Sequence, residues 1–247
     1  MQKFYDEEPS SDLQKNGFEI DCNYDYSISV ATLSIKSDKK AKMLQKEIGD
    51  YCIINSPLFH MLDIACFNYT QKILVKNLKK FISKKPNKVL VVGLGNQQIE
   101  ADAFGGRCTD KIKLKQNIFA IKPNVYANTN LMSFDIVAGV CNQLKPDLVV
   151  LIDSLGTQNI KRLACSFQIC NVGILPGGAL GDFNKTISKQ TLGIPCVVIG
   201  VPLMIFASGL NNNLEEFYKQ FIFTPKDIQD LVDWCAELVS NALNLLC

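Results

Sequence analysis

Lys88-Val89-Leu90-Val91-Val92 runs directly into Gly93-Leu94-Gly95-Asn96, and this junction decides the fold. An apolar run with no polar alternation fits a strand buried on both faces, as in a parallel sheet covered by helices. The glycines then permit a tight turn and a close backbone approach. The same pattern returns at Leu148 to Ile152 (LVVLI), which ends at Asp153, and at Ile194 to Val201 (IPCVVIGV). Parallel strands need crossover connections, and the spacings leave room for helices at Phe134 to Leu144 and Asn159 to Phe167.

Outward from this centre, Ile28 to Ile35 is β-branched and predicts a further strand. Cys66 to Ser83 places Phe67, Ile73, Leu74, Leu78, Phe81 and Ile82 on one stripe among lysines, an amphipathic helix that Lys84-Lys85-Pro86-Asn87 ends. At the other end, Thr224 suits an N-cap and Pro225 a first helical position. A continuous apolar stripe from Ile228 to Leu246 follows. The expected fold class is α/β, a mostly parallel central sheet flanked by helices. Residues 26–247 would form a single domain, preceded by a polar leader or irregular arm over residues 1–25.

Composition narrows the chemistry. Among 247 residues, 47% are hydrophobic and 20% charged, with a net charge of +2. That balance suits an ordinary globular enzyme and calls for neither nucleic acid nor a membrane surface. Met1 to Ser11 has no apolar core, so no secretory leader is expected, and the expected location is cytoplasmic. The ten cysteines are scattered without any CxxC and read as reduced, buried, small hydrophobes. His60 is the only histidine, and it reads as a partly buried structural residue. No GxSxG elbow exists for a serine triad, and histidine-rich or CxxC-type zinc sites are absent. No metal and no cofactor are expected.

In open parallel sheets, sites form at the carboxyl ends of the strands. Three segments converge there: Gly93 to Gly105, Ile152 to Gly156, and Gly173 to Gly181. Gly93 and Gly95 fit a dinucleotide fingerprint, but Gln98 occupies its third glycine position, so a nucleotide is poorly supported. Asp102 and Asp153 carry more. Two carboxylates opening onto one sheet edge cannot both ionise easily. The ionised one can then take a proton from water while the protonated one donates to a carbonyl oxygen. On the residues alone, an aspartate after a parallel strand is as readily a helix N-cap. Glu100, in a solvated loop, is a substitute carboxylate. Gly93, Gly95, Asn96, Gly105, Ser154, Gly177 and Gly178 complete the candidate site as substrate-binding loop positions.

Several ordered motifs resemble those of the spore germination proteases. Val91-Val92-Gly93-Leu94-Gly95-Asn96 followed by Asp102-Ala103-Phe104-Gly105 is similar to that family's VVGLGN…PDALGP. Lys145-Pro146-Asp147-Leu148 through Asp153-Ser154-Leu155 resembles KPDLVIAIDAL. Thr191-Leu192-Gly193-Ile194-Pro195 with Ile199-Gly200-Val201-Pro202 resembles TLGIPVIAIGVP. The likeness is dense from 88 to 207. It implies a phosphorylase/hydrolase-like fold and an endopeptidase acting on small acid-soluble spore proteins, with the proposed catalytic aspartates at Asp102 and Asp153. It also implies a homotetramer or homodimer, residence in the spore core, and a zymogen that removes its own N-terminal segment, here residues 1 to about 9.

The chain also departs from the family pattern. Ala101 and Gly106 replace two prolines, Leu175 replaces a histidine, and Asn124 to Phe134 lacks the family's glycine-rich stretch. Two alternatives therefore stand beside the peptidase: a degenerate paralogue that binds or assembles with spore proteins, and a metal-dependent peptidase of the hydrogenase-maturation type. Leu175 counts against the second, because oxygen-only sites hold such metals less well.

Overall fold

A computed structural model describes residues 17, 19–82, 86–177, 185–211 and 213–246. The strands are β1 (Glu19–Asp21), β2 (Ser29–Ile35), β3 (Gly49–Asn55), β4 (Val89–Gly93), β5 (Ile118–Ile121), β6 (Leu148–Thr157), β7 (Ser166–Cys170), β8 (Cys196–Phe206) and β9 (Ile222–Phe223). The helices longer than one turn are α1 (Asp38–Leu44), α2 (Ile64–Phe81), α3 (Phe104–Asp110), α4 (Ser133–Leu144) and α5 (Ile228–Leu246). One sheet runs in the order β1-β2-β3-β7-β8-β6-β4-β5, and β9 pairs with β8.

The expected α/β sheet is present, and its parallel part is the β5-β4-β6-β8 centre. The strands from β1 to β7 add to that centre antiparallel. Alternation along each strand divides the core. Val150 and Ile152 of β6, Ile199 of β8 and Phe167 of β7 point to a face covered by α2, α3 and α5. Leu151, Val198 and Cys170 point to the opposite face, with Phe134, Val137 and Cys141 of α4. These strands read as continuous apolar runs because both faces are covered.

Helix α2 begins where Asp63 caps it, its side chain accepting from the Cys66 N–H at 2.7 Å. It buries Leu74 and Leu78 completely, the stripe expected from the periodicity. Phe59 meets Phe167 edge-to-face with ring centroids 5.1 Å apart, and Phe67 meets Trp234 of α5 at 4.8 Å. Such aromatic pairs add about 1 kcal/mol each beyond their area. This cluster fastens α2 and α5 to β7.

Four expectations are corrected. Asn159 to Phe167 is not a crossover helix. Asn159 caps only the 3-10 turn Ile160–Arg162, and β7 then inserts between β3 and β8. Being antiparallel to β8, it needs no crossover, and Phe167 and Ile169 follow the two-residue period of a strand. Strand β6 does not end at Asp153 but continues to Thr157 alongside the extended β8. Helix α5 starts at Ile228, beyond Thr224 and Pro225, with a turn at 226–227 between. His60 is exposed, in the 3-10 turn Phe59–Met61, rather than partly buried. The described cysteines are free thiols, all buried except Cys22. The proposed N-terminal cleavage segment lies outside the described residues.

Candidate active site

The parallel pairing of β4 with β6 brings Gly93 opposite Ile152, so both strands deliver their next residues to one edge. The chain leaves β4 through Leu94, whose N–H donates to the Ile152 carbonyl at 2.8 Å. Gly95 follows at φ +96°, a left-handed backbone that glycine adopts without strain. A Cβ at this position would lie 2.1 Å from the Asp102 carbonyl oxygen and 3.0 Å from its carboxylate Oδ1. The close approach expected of this glycine loop is therefore an approach to Asp102.

Asp102 closes the 3-10 turn Glu100–Asp102. Its Oδ2 accepts from the Asn96 backbone N–H at 2.6 Å. The Asn96 side chain is itself held, its Oδ1 accepting from the Gln98 N–H at 3.0 Å and from Asn128 Nδ2 at 3.2 Å. Beneath the turn, α3 packs directly on the strand ends. A Cβ at Gly105 would fall 2.4 Å from the Ile152 carbonyl, and one at Gly93 would fall 2.2 Å from the Gly105 carbonyl.

Asp153 lies inside β6, 8% exposed, its Oδ1 accepting from the Ser154 N–H at 3.0 Å. Ser154 is also buried, and its Oγ has no hydrogen-bond partner. Gly177 occupies a turn at φ +69°, and Gly178 lies outside the described residues. Glu100, the substitute carboxylate, is half-exposed and paired with Arg107. Arg107 also reaches Asp233 at 2.9 Å and the Gln229 carbonyl at 3.4 Å, both on α5. Arg107 and Asn128 were not legible as site residues in the sequence. Each acts across a tertiary contact that no local spacing encodes.

The two aspartates differ electrostatically. Burial pushes the Asp102 carboxyl up to about 6, against the opposing pull of the Asn96 N–H. Asp153 is raised well above its ordinary value of 3.8, first by burial and then by the negative charge of Asp102, with the Ser154 N–H opposing. Burial and mutual repulsion thus disfavour ionising both carboxyls of the pair at once. Among the described residues, no group of three or more His, Cys, Asp or Glu converges as a metal-ligand set would.

The sequence profile of the germination protease family matches residues 1–221. The germination protease of Clostridium perfringens strain 13 is 26% identical over 272 aligned residues, covering 88% of this chain and 84% of that protein. That of Caldanaerobacter subterraneus subsp. tengcongensis is 29% identical with the same coverage. That of Oceanobacillus iheyensis is 31% identical over 195 residues, 71% of this chain and 53% of the relative. Among solved structures, a NiFe hydrogenase maturation protease from Thermococcus kodakarensis superposes with a TM-score of 0.44 at 18% identity, covering 67% of this chain and 97% of that one. With a family profile matched over most of its length, this chain belongs to the germination protease family, whose members are endopeptidases.

Proposed function

We propose that this endopeptidase hydrolyses small acid-soluble spore proteins with Asp102 as general base and Asp153 as general acid. The observation that carries the reading is the unequal pair: a buried Asp153, its carboxyl raised by burial and by the charge of Asp102, beside a partly exposed Asp102. In the first step, Asp153 donates its proton toward the carbonyl oxygen of the scissile peptide. Asp102 takes a proton from a water molecule, whose oxygen bonds to the carbonyl carbon. The product is a neutral tetrahedral diol, with Asp102 protonated and Asp153 ionised. In the second step, the proton on Asp102 passes to the amide nitrogen and the C–N bond breaks. A diol hydroxyl returns its proton to Asp153, which restores the starting charges.

The structure supports the roles in this order. The Asn96 N–H stabilises the anionic form of Asp102, while nothing but the Ser154 N–H offsets the burial of Asp153. A base near pH 6 is ionised at neutral pH yet still basic enough to accept a proton. The substrate class rests on the family resemblance.

The test is incubation of the purified chain with a small acid-soluble spore protein, beside Asp102→Asn and Asp153→Asn. Discrete fragments that neither variant produces support the pair. Undiminished cleavage by either variant removes that residue from the mechanism. No cleavage by the folded chain, with its first residues removed as well, points instead to a binding paralogue.

A further inference from the structure

The Asn96 carboxamide has one end that the mechanism above does not use. Its Oδ1 accepts from the Gln98 backbone N–H at 3.0 Å and from Asn128 Nδ2 at 3.2 Å. A backbone N–H only donates, so the end that faces Gln98 is the oxygen. The same logic fixes the neighbouring amides. Asn124 Oδ1 accepts from the Val125 N–H at 2.9 Å, and Asn128 Nδ2 lies 3.1 Å from that oxygen. Asn128 therefore sits between two oxygens that backbone donors have set, and only its NH2 can face both. Two main-chain N–H groups thus orient all three carboxamides.

The other end of Asn96 is an NH2 with two N–H donors. Among the described residues it has no hydrogen-bond partner, and yet it is not one of the buried, orphaned atoms. Asn96 is partly exposed, so this NH2 opens to solvent at the carboxyl edge of the sheet. The sheet order β6-β4-β5 places the turn Tyr126–Thr129, which follows β5, on the side of β4 away from β6. Asn128 draws the Asn96 oxygen to that side, and the planar carboxamide leaves its NH2 as the free arm.

Both aspartates are close by. The Asn96 N–H donates to Asp102 Oδ2 at 2.6 Å. The side-chain nitrogen of an asparagine lies at most about 5 Å from its own backbone nitrogen. On the adjacent strand, about 4.8 Å across, Asp153 follows the Ile152 carbonyl that accepts from Leu94. A carbonyl oxygen has two lone pairs. In the hydrolysis above, Asp153 serves one. The other gains electron density as the carbon becomes tetrahedral, and a fixed donor there lowers the barrier. A neutral NH2 suits this place. It does not titrate, it does not compete with Asp102 for the proton of water, and its tied oxygen end spares it reorganisation.

Resting on the peptidase reading, we propose that Asn96 is a further catalytic residue, its side-chain NH2 donating a hydrogen bond to the scissile carbonyl oxygen as the tetrahedral intermediate forms, with Asn128 as the positioning residue that keeps the carboxamide turned.

The test compares the full chain with Asn96→Ala and Asn96→Asp in steady-state cleavage of a small acid-soluble spore protein. Values of kcat and KM are read separately from pH 5 to 8, and urea unfolding reports whether each variant is folded. Both variants keep the backbone N–H that Asp102 accepts. Asn96→Asp also keeps an oxygen for Gln98 and Asn128 but has no N–H to offer. Both should lose roughly ten- to hundred-fold in kcat, below the usual loss of an oxyanion donor because Asp153 neutralises the same oxygen. KM should stay within about three-fold, as for an interaction made only in the transition state. In Asn96→Ala the fall in rate at low pH should keep its midpoint at about 6. Asn128→Leu should show a smaller loss in kcat, and Asn128→Gln, which still offers an NH2, should recover part of it.

Recovery of the parent kcat by Asn96→Asp would mean that only the acceptor oxygen matters. A loss carried by KM, or a midpoint that moves in Asn96→Ala, would mean that the side chain serves ground-state binding or Asp102. Unchanged kcat in both variants removes the donor, and failure of both to fold makes Asn96 a structural group. Unchanged kcat in Asn128→Leu removes the positioning role. Each of these results leaves the peptidase standing. A folded parent that cleaves nothing is a different failure, which sinks the peptidase reading and this donor with it.

Discussion

Replacing Asp102 by Asn should abolish proteolysis and yet make the free protein more stable at neutral pH. The folded state holds the Asp102 proton up to about 6, whereas the unfolded chain releases it near the ordinary value of 3.8. Between these values the folded state binds more protons than the unfolded one, so stability falls as pH rises. The penalty is complete above the folded value. A difference of about 2 units corresponds to roughly 3 kcal/mol. The carboxamide introduced by Asp102→Asn cannot ionise, and its carbonyl oxygen can still accept from the Asn96 N–H. The variant therefore avoids the penalty while keeping the loop contact.

The measurement is urea unfolding of both proteins at pH 4.5 and pH 7.5. The advantage of Asp102→Asn should widen by about 2 kcal/mol between them, since about 1 kcal/mol is already present at the lower pH. A stability gap that does not change with pH would refute the raised value, and with it the assignment of Asp102 as the base. A gap of opposite sign would mean that the carboxylate is stabilised in the fold and is a poor proton acceptor.

Further outcomes follow from the same geometry. The rate of cleavage should fall as pH drops through about 6, as Asp102 takes up its proton. A kcat/KM profile flat from pH 5 to 7 would contradict that role. Gly95→Ala should lower stability by about 2 kcal/mol or more, through the left-handed backbone and the 2.1 Å approach to the Asp102 carbonyl. It should depress kcat further than KM, which steady-state kinetics on the folded variant would show. Arg107→Gln should cost only about 1 kcal/mol in an unfolding experiment, because its ion pairs are partly solvated. Its kcat should fall more than that, because the turn bearing Asp102 loses its tie to α5, and unchanged kinetics would exclude a positioning role. Burial pushes the Cys52, Cys165, Cys170 and Cys196 thiols up to about 12. Native-state alkylation at pH 8 should therefore label the exposed Cys22 well before these four, as peptide mapping would reveal.

Much of the centre was legible because burial on both faces leaves an unmistakable mark. The runs at 88, 148 and 194 had to be parallel strands, since no half-exposed strand tolerates so many consecutive apolar residues. The glycines after the first run, and Asp102 and Asp153 beyond the first two, followed from the rule that such sheets bind at their carboxyl edge. The antiparallel half was not legible. Ser166–Cys170 is short and follows a capped turn, so periodicity alone did not separate it from the helix expected there.

What the sequence determined by itself was the α/β class, because hydrophobic pattern is a local property, and it offered Asp102 and Asp153 as candidates by residue type and position. What only the tertiary structure decided was the environment of each aspartate. The same residue type lies partly exposed in a turn at Asp102 and buried within β6 at Asp153, because burial and the neighbouring charge are set by strands that meet only when the sheet closes. Likewise Asn55 and Ser166, more than a hundred residues apart in sequence, become neighbours only through the β3–β7 register.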